Sequence, residues 1–205
     1  MHDVPKADVV TMGNILHDWN LEKKKMLIKK AYDAGAVAVM VPQVANVEEA
    51  KRAVEYARYP PLGNRGISPH WAALANESFP EVIRTANDET VLCLQMESLE
   101  AYEQIDDILA VEGFEVLFIG PMDLSASMGI TADMQNSKLQ AIMEEMPKRA
   151  EGSGKIIGTI LMNPEEIRQK VDWGFRFLVV GSPLGFGIRF VNERFAEYRE
   201  QAGGA

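Results

Sequence analysis

The chain has 205 residues, 47% of them hydrophobic and 25% charged, and a net charge of −9; that is enough for one sizeable core, and the acidic balance argues against nucleic acid or an anionic membrane as partner. No apolar run reaches the ~18 residues of a membrane span and nothing reads as a signal peptide, so a cytoplasmic protein is expected. The single cysteine, Cys93, cannot form an internal disulfide, which suits a reducing compartment, and inside an apolar run it reads as a small hydrophobe rather than a reactive thiol.

Strand-like and helix-like segments alternate along the chain, the pattern of a parallel sheet with crossover helices. Residues 7–16 are an apolar, strand-like start. Asn20 can cap a helix running to about Ala34, with Leu27, Ile28, Ala31 and Ala34 on its inner side. Residues 36–44 are almost continuously apolar, as in a strand buried on both faces. Asn46-Val47-Glu48-Glu49 opens a second helix, whose Val47, Ala50, Val54 and Ala57 keep helical spacing. Tyr59-Pro60-Pro61-Leu62-Gly63-Asn64-Arg65-Gly66 then marks a long loop, and a short helix is expected over residues 80–86.

Residues 91–97 form the next strand, followed by a helix with Leu99, Tyr102, Ile105 and Ile108 at three-residue steps. A strand over 114–120 comes next, then a helix over 138–151 that Pro147 should kink or end. A strand over 156–161 leads into a helix begun at Asn163-Pro164-Glu165-Glu166. The last strand spans 175–181 and the last helix about 188–199. Gly181-Ser182-Pro183-Leu184-Gly185-Phe186-Gly187 lacks the lysine of a P-loop and reads as a chain turn. The lysines at 23–25, 29 and 30 read as a solvated helix face. Six strand–helix units are expected in all, with no linker between them. A complete eight-fold barrel needs about 250 residues, and the periodicity alone allows either a partial barrel or an open doubly wound sheet.

The chemistry concentrates at two strand ends. Side chains alternate along a strand, so Gln95 and Glu97 share a face with Val91 and Cys93, while Leu92, Leu94 and Met96 take the other. A carboxylate and an amide on the inner face of a buried strand are costly unless they bind something. Asp123 follows the next strand. In parallel α/β folds ligands gather at strand carboxyl ends, and two carboxylates there make a seat for a hard divalent cation. The competing reading is that Glu97 and Asp123 cap the segments that follow them. Arg65 can grip a substrate carboxylate through its planar fork or can be an exposed loop arginine. His70 reads as a satisfied loop histidine. His17, after the first strand, is a candidate general base at the same end of the sheet.

Several pieces resemble one family in order: Met40-Val41-Pro42-Gln43-Val44, Arg58-Tyr59-Pro60-Pro61-Leu62-Gly63-Asn64-Arg65-Gly66, Gln95-Met96-Glu97, Phe118-Ile119-Gly120-Pro121-Met122-Asp123-Leu124-Ser125 and Val179-Val180-Gly181. From Gly35 onward the chain resembles the HpcH/HpaI aldolases of the pyruvate/phosphoenolpyruvate barrel superfamily. The resemblance implies an α/β fold, a truncated (β/α) TIM-type barrel of about six parallel units. It implies that Glu97 and Asp123 ligate a divalent metal cation, commonly Mg2+ or Mn2+. It places Gln95, Met122 and Asp123 against a small 2-oxo acid such as pyruvate or oxaloacetate, and the loop carrying Arg65 at the site's mouth. Metal-dependent aldolase or lyase chemistry is then expected; the alternative is a non-catalytic metal- or oxo-acid-binding barrel fragment.

Residues 4–34 depart from that family. They look like S-adenosylmethionine-dependent O-methyltransferases, and His17-Asp18-Trp19 is similar to the segment carrying their catalytic base. Their glycine-rich cofactor loop is absent, as are the aldolase family's Glu-His pair and its carboxylate-gripping arginine. The expected organisation is a methyltransferase-like βα segment over 1–34, packed as part of the barrel, and an aldolase-like barrel portion over 35–205. Missing units leave strand edges open, so a homo-oligomer is expected.

Overall fold

The computed structural model describes residues 21–67, 78–161 and 163–203. Five parallel strands pair in strict chain order, β1 (Ala38–Val41), β2 (Val91–Met96), β3 (Val116–Ile119), β4 (Ile156–Ile160) and β5 (Phe177–Val179). This order curls the sheet into a half-barrel with helices outside, in agreement with the truncated barrel expected. The sixth expected strand, over 7–16, lies outside the described residues.

The registers divide the side chains between two faces. Leu94 lies beside Val41 and Leu117, and Leu117 beside Ile157. These residues, with Leu92, Met96 and Ile119, join the large core under the helices. Cys93 lies beside Met40 and Val116 in a smaller inner core with Phe118, Phe177 and Val179. Phe118 and Phe177 meet edge to face at 6.1 Å, and Gly158 between them leaves the room: an added Cβ would stand 2.9–3.0 Å from both rings.

Helix α1 (Leu21–Asp33) buries Ile28, Ala31 and Tyr32 and packs against β1 and α2 (Val47–Ala57). Asn46 caps α2 by accepting from the Glu49 N–H at 3.0 Å, and the Glu49 carboxylate takes the Ala45 N–H in return, close to a capping box. Helix α3 spans Phe79–Glu89. The helix expected after β2 divides at Gln104 into α4 (Leu99–Glu103) and α5 (Ile105–Leu109). Helix α6 (Pro121–Ser127) follows β3 directly. Pro147 is accommodated inside α7 (Ser137–Arg149) near its end. Helix α8 (Glu166–Trp173) starts a turn later than Asn163 suggests.

Helix α9 (Pro183–Gln201) takes in most of the stretch expected to be a turn, because the Ser182 hydroxyl accepts from the Gly185 N–H and begins the helix early. It buries none of its residues.

Arg58 ties the amino ends of the strands together. It is 1% exposed. Its guanidinium donates to the carbonyls of Gly113, Asn87 and Thr90, to the Thr90 hydroxyl, and to both oxygens of Glu115 at 2.6 Å. An arginine can be buried here because its donors are satisfied by the chain entering β2 and β3.

Candidate active site at the strand carboxyl ends

Glu97 ends the inner face of β2 and is 4% exposed. Its Oε1 accepts the Gln43 backbone N–H at 2.7 Å, and its Oε2 accepts the Gln95 side-chain amide at 2.5 Å. Gln43 follows β1 with φ +53, a left-handed conformation uncommon for a residue with a side chain. That backbone aims its N–H at the carboxylate, and the Val44 N–H bonds the Gln95 carbonyl at 3.1 Å. Two neighbouring strand ends therefore clamp one side chain.

Asp123 reaches the same place from the first turn of α6, on the exposed rim of the site. The Glu97 carboxyl is pushed up to about 7. Burial is the largest cause; the Asp123 charge and a hydrogen bond between the two carboxyl groups push the same way, against the donors Gln43 and Gln95. Phe118 lies beside Gln95 in register and is 4% exposed, giving an apolar floor. Cys93, one layer below on β2, has its thiol pushed up by burial, consistent with a packing role.

The capping alternative does not describe either acid. The cap of α4 is Ser98, whose hydroxyl accepts the Ala101 N–H at 3.2 Å. The cap position of α6 is Gly120, with no side-chain cap bond. Glu97 is thus a buried carboxylate with no secondary-structure duty. As a donor set, two carboxylates from adjoining strand ends suit a hard cation. Among the described residues no group of three or more His, Cys, Asp or Glu could hold a metal; a cation seated on these two carboxylates would take its remaining ligands from water or substrate. Mg2+ and Mn2+ accept such sites readily.

The structure brings Gln95, Glu97 and Asp123 together, with Met122 beside Asp123 in the first turn of α6 and 43% exposed. It does not bring Arg65 to them, and this corrects the expectation for that residue. Arg65 is buried at the amino ends of the strands, donating to Asp33 at 2.7 Å and stacking over Tyr32 and Tyr59 at 4.9 and 4.5 Å. Tyr32 in turn donates to the carbonyl of Val91, where β2 begins. Six residue rises separate Val91 from Glu97, about 20 Å. The loop of Gly63 and Gly66 shares this placement, because the Arg65 N–H bonds the Arg58 carbonyl. His17 and His70 lie outside the described residues. The side-chain patterns did not reveal Gln43, which acts through its backbone from inside the apolar run read over residues 36–44.

Residues 20–188 match the family described as HpcH/HpaI aldolase/citrate lyase. The chain is similar to 2-keto-3-deoxy-L-rhamnonate aldolase of Klebsiella pneumoniae, 34% identical over 183 residues that make up 89% of this chain and 68% of that protein. It is similar to hydroxypyruvate/pyruvate aldolase of Roseovarius nubinhibens, 37% identical over 177 residues, 84% of this chain and 68% of that protein. Its fold matches the crystal structure of an HpcH/HpaI aldolase/citrate lyase family protein from Burkholderia cenocepacia with a TM-score of 0.78 at 28% identity, covering 85% of this chain and 70% of that one. The family match begins at residue 20 and takes in helix α1.

Proposed function

The chain belongs to the HpcH/HpaI aldolase/citrate lyase family, and we propose that it is a divalent-metal-dependent lyase that breaks or forms a carbon–carbon bond beside a 2-oxo acid such as pyruvate or oxaloacetate. The observation that carries this reading is Glu97, a buried carboxylate clamped by Gln43 and Gln95 next to Asp123 at the strand carboxyl ends. In this reading Glu97 and Asp123 hold the cation. Gln95 and Met122 border the 2-oxo acid, and the apolar floor of Phe118 keeps water from below. A bound divalent cation supplies Lewis-acid stabilisation of the negative charge that develops on the substrate oxygen. The relatives named for 2-keto-3-deoxy-L-rhamnonate and hydroxypyruvate/pyruvate aldolase activity support the carbon–carbon lyase class.

Calorimetry with Mn2+ and oxalate tests the seat: heat from the wild type and none from Glu97→Ala is expected, and equal heat from both would remove it. Release of pyruvate from a 4-hydroxy-2-oxo acid then tests the lyase. A specific observation favours a second reading, a non-catalytic oxo-acid-binding barrel fragment: Arg65, the candidate grip for the substrate carboxylate, sits at the opposite end of the sheet. Binding without turnover selects that reading.

The organisation proposed is that residues 1–34, which resemble a methyltransferase βα segment, stand in for a barrel unit ahead of an aldolase-like portion over 35–205; the packing of α1 on β1 and α2 supports the docking of residues 21–33, and the family match from residue 20 counts that helix with the aldolase portion. His17 is the candidate base that this segment would carry. The protein is a cytoplasmic homo-oligomer; among the described residues β1 and β5 each pair on one side, and no helix is long and apolar enough to cross a membrane.

A further inference from the structure

We propose that Gly120 is a positioning residue for Glu97 and Gln95, a glycine kept for the space it leaves rather than for its backbone freedom. The inference rests on the cation-seat reading and names what sets the geometry of that seat. Gly120 joins β3 to α6, and its N–H bonds the Met96 carbonyl at 3.0 Å, so its backbone is tied to the strand that carries Glu97. Its φ of −91 and ψ of 93 suit any residue. Glycine is therefore not required there by conformation.

Space is what requires it. A Cβ on residue 120 would lie 2.6 Å from Glu97 Oε2, 2.8 Å from Gln95 Nε2 and 3.1 Å from Glu97 Cβ. The first two atoms are the partners in the 2.5 Å bond that orients the carboxylate. Both are the ends of flexible side chains, but Glu97 Oε1 is held by Gln43 at 2.7 Å and Glu97 Cβ is itself within 3.1 Å, so they can make room only by disturbing the clamp. Even one methyl group at 120 must turn the carboxylate out of its clamp while leaving strand pairing and the outer core intact. Groups that orient metal ligands typically change affinity about 10–100-fold when lost.

The test is Mn2+ binding, followed by electron paramagnetic resonance, in the wild type, Gly120→Ala, Glu97→Asp and the Gly120→Ala/Glu97→Asp double variant. Gly120→Ala is expected to weaken Mn2+ binding at least tenfold. In the double variant the shorter carboxylate draws back from the new methyl, so binding is expected to be tighter than in Gly120→Ala, a coupling that a general loss of structure would not produce. Binding by Gly120→Ala within twofold of the wild type overturns the inference, as does a double variant no tighter than Gly120→Ala. A wild type that does not bind Mn2+ overturns the seat itself and this inference with it. Should Gly120→Ala fail to fold, Gly120→Ala/Glu97→Asp measured against Glu97→Asp decides: similar affinity supports the steric account, and a tenfold loss overturns it.

Discussion

Glu97 carries a pH signature as well as a ligand role. Its carboxyl titrates at about 7 in the folded protein, against an ordinary 4.5. Between those values the native state holds a proton that the unfolded chain has released. Stability therefore falls as pH rises from about 4.5 to about 7 and levels off above. Glu97→Gln should abolish that fall. At pH 8, without added cation, it should be more stable than the wild type by roughly 3 kcal/mol at most, since each pH unit is worth 1.36 kcal/mol. Urea unfolding across pH checks this; parallel curves for the two proteins would show that Glu97 is not the group responsible.

Arg58 is the residue-scale counterpart at the other end of the sheet. Its bonds to Glu115, Thr90, Asn87 and Gly113 leave little of the guanidinium unpaired. Arg58→Met should cost about 3–5 kcal/mol by denaturant unfolding, because the carbonyls and the Glu115 carboxylate at the strand entries lose their donor. A loss below 1 kcal/mol would mean that water replaces it.

At the scale of elements, local rules account for most of the strands and helices. The Asn46 cap, the apolar runs of β2 and β3 and the alternation along β2 were legible because each depends on neighbours in sequence. The departures have local causes too. Gln104 interrupts the expected continuous helix between α4 and α5. Ser182 caps a helix in a glycine-rich stretch that reads as a turn. Arg65 departs for a different reason: the family motif it sits in spans a loop, and a loop's direction relative to the sheet is not encoded by spacing. Its Asp33 partner is 32 residues away.

For the whole molecule, the features left open among the described residues are the outermost strands and α9. Leu184, Ile188, Val191, Phe195 and Tyr198 repeat at steps of four, three, four and three, and each is 48–74% exposed. That spacing makes one apolar stripe along the helix. Among the described residues β1 and β5 each pair on one side only, and with this stripe they support the proposed association with a second copy of this chain. Ile188→Glu/Phe195→Glu should lower the mass measured by light scattering while leaving the circular dichroism spectrum unchanged. A wild type that is monomeric at micromolar concentration would overturn the oligomer.

The order of strands and helices and the buried sides of β2 were readable from residue order, since periodicity and strand ends are local properties. The end of the sheet that Arg65 serves, the backbone donor at Gln43 and the vacancy at Gly120 became visible once distant segments were packed. Each depends on atoms brought within hydrogen-bond or contact distance by strand pairing, and no spacing along the chain records such a meeting.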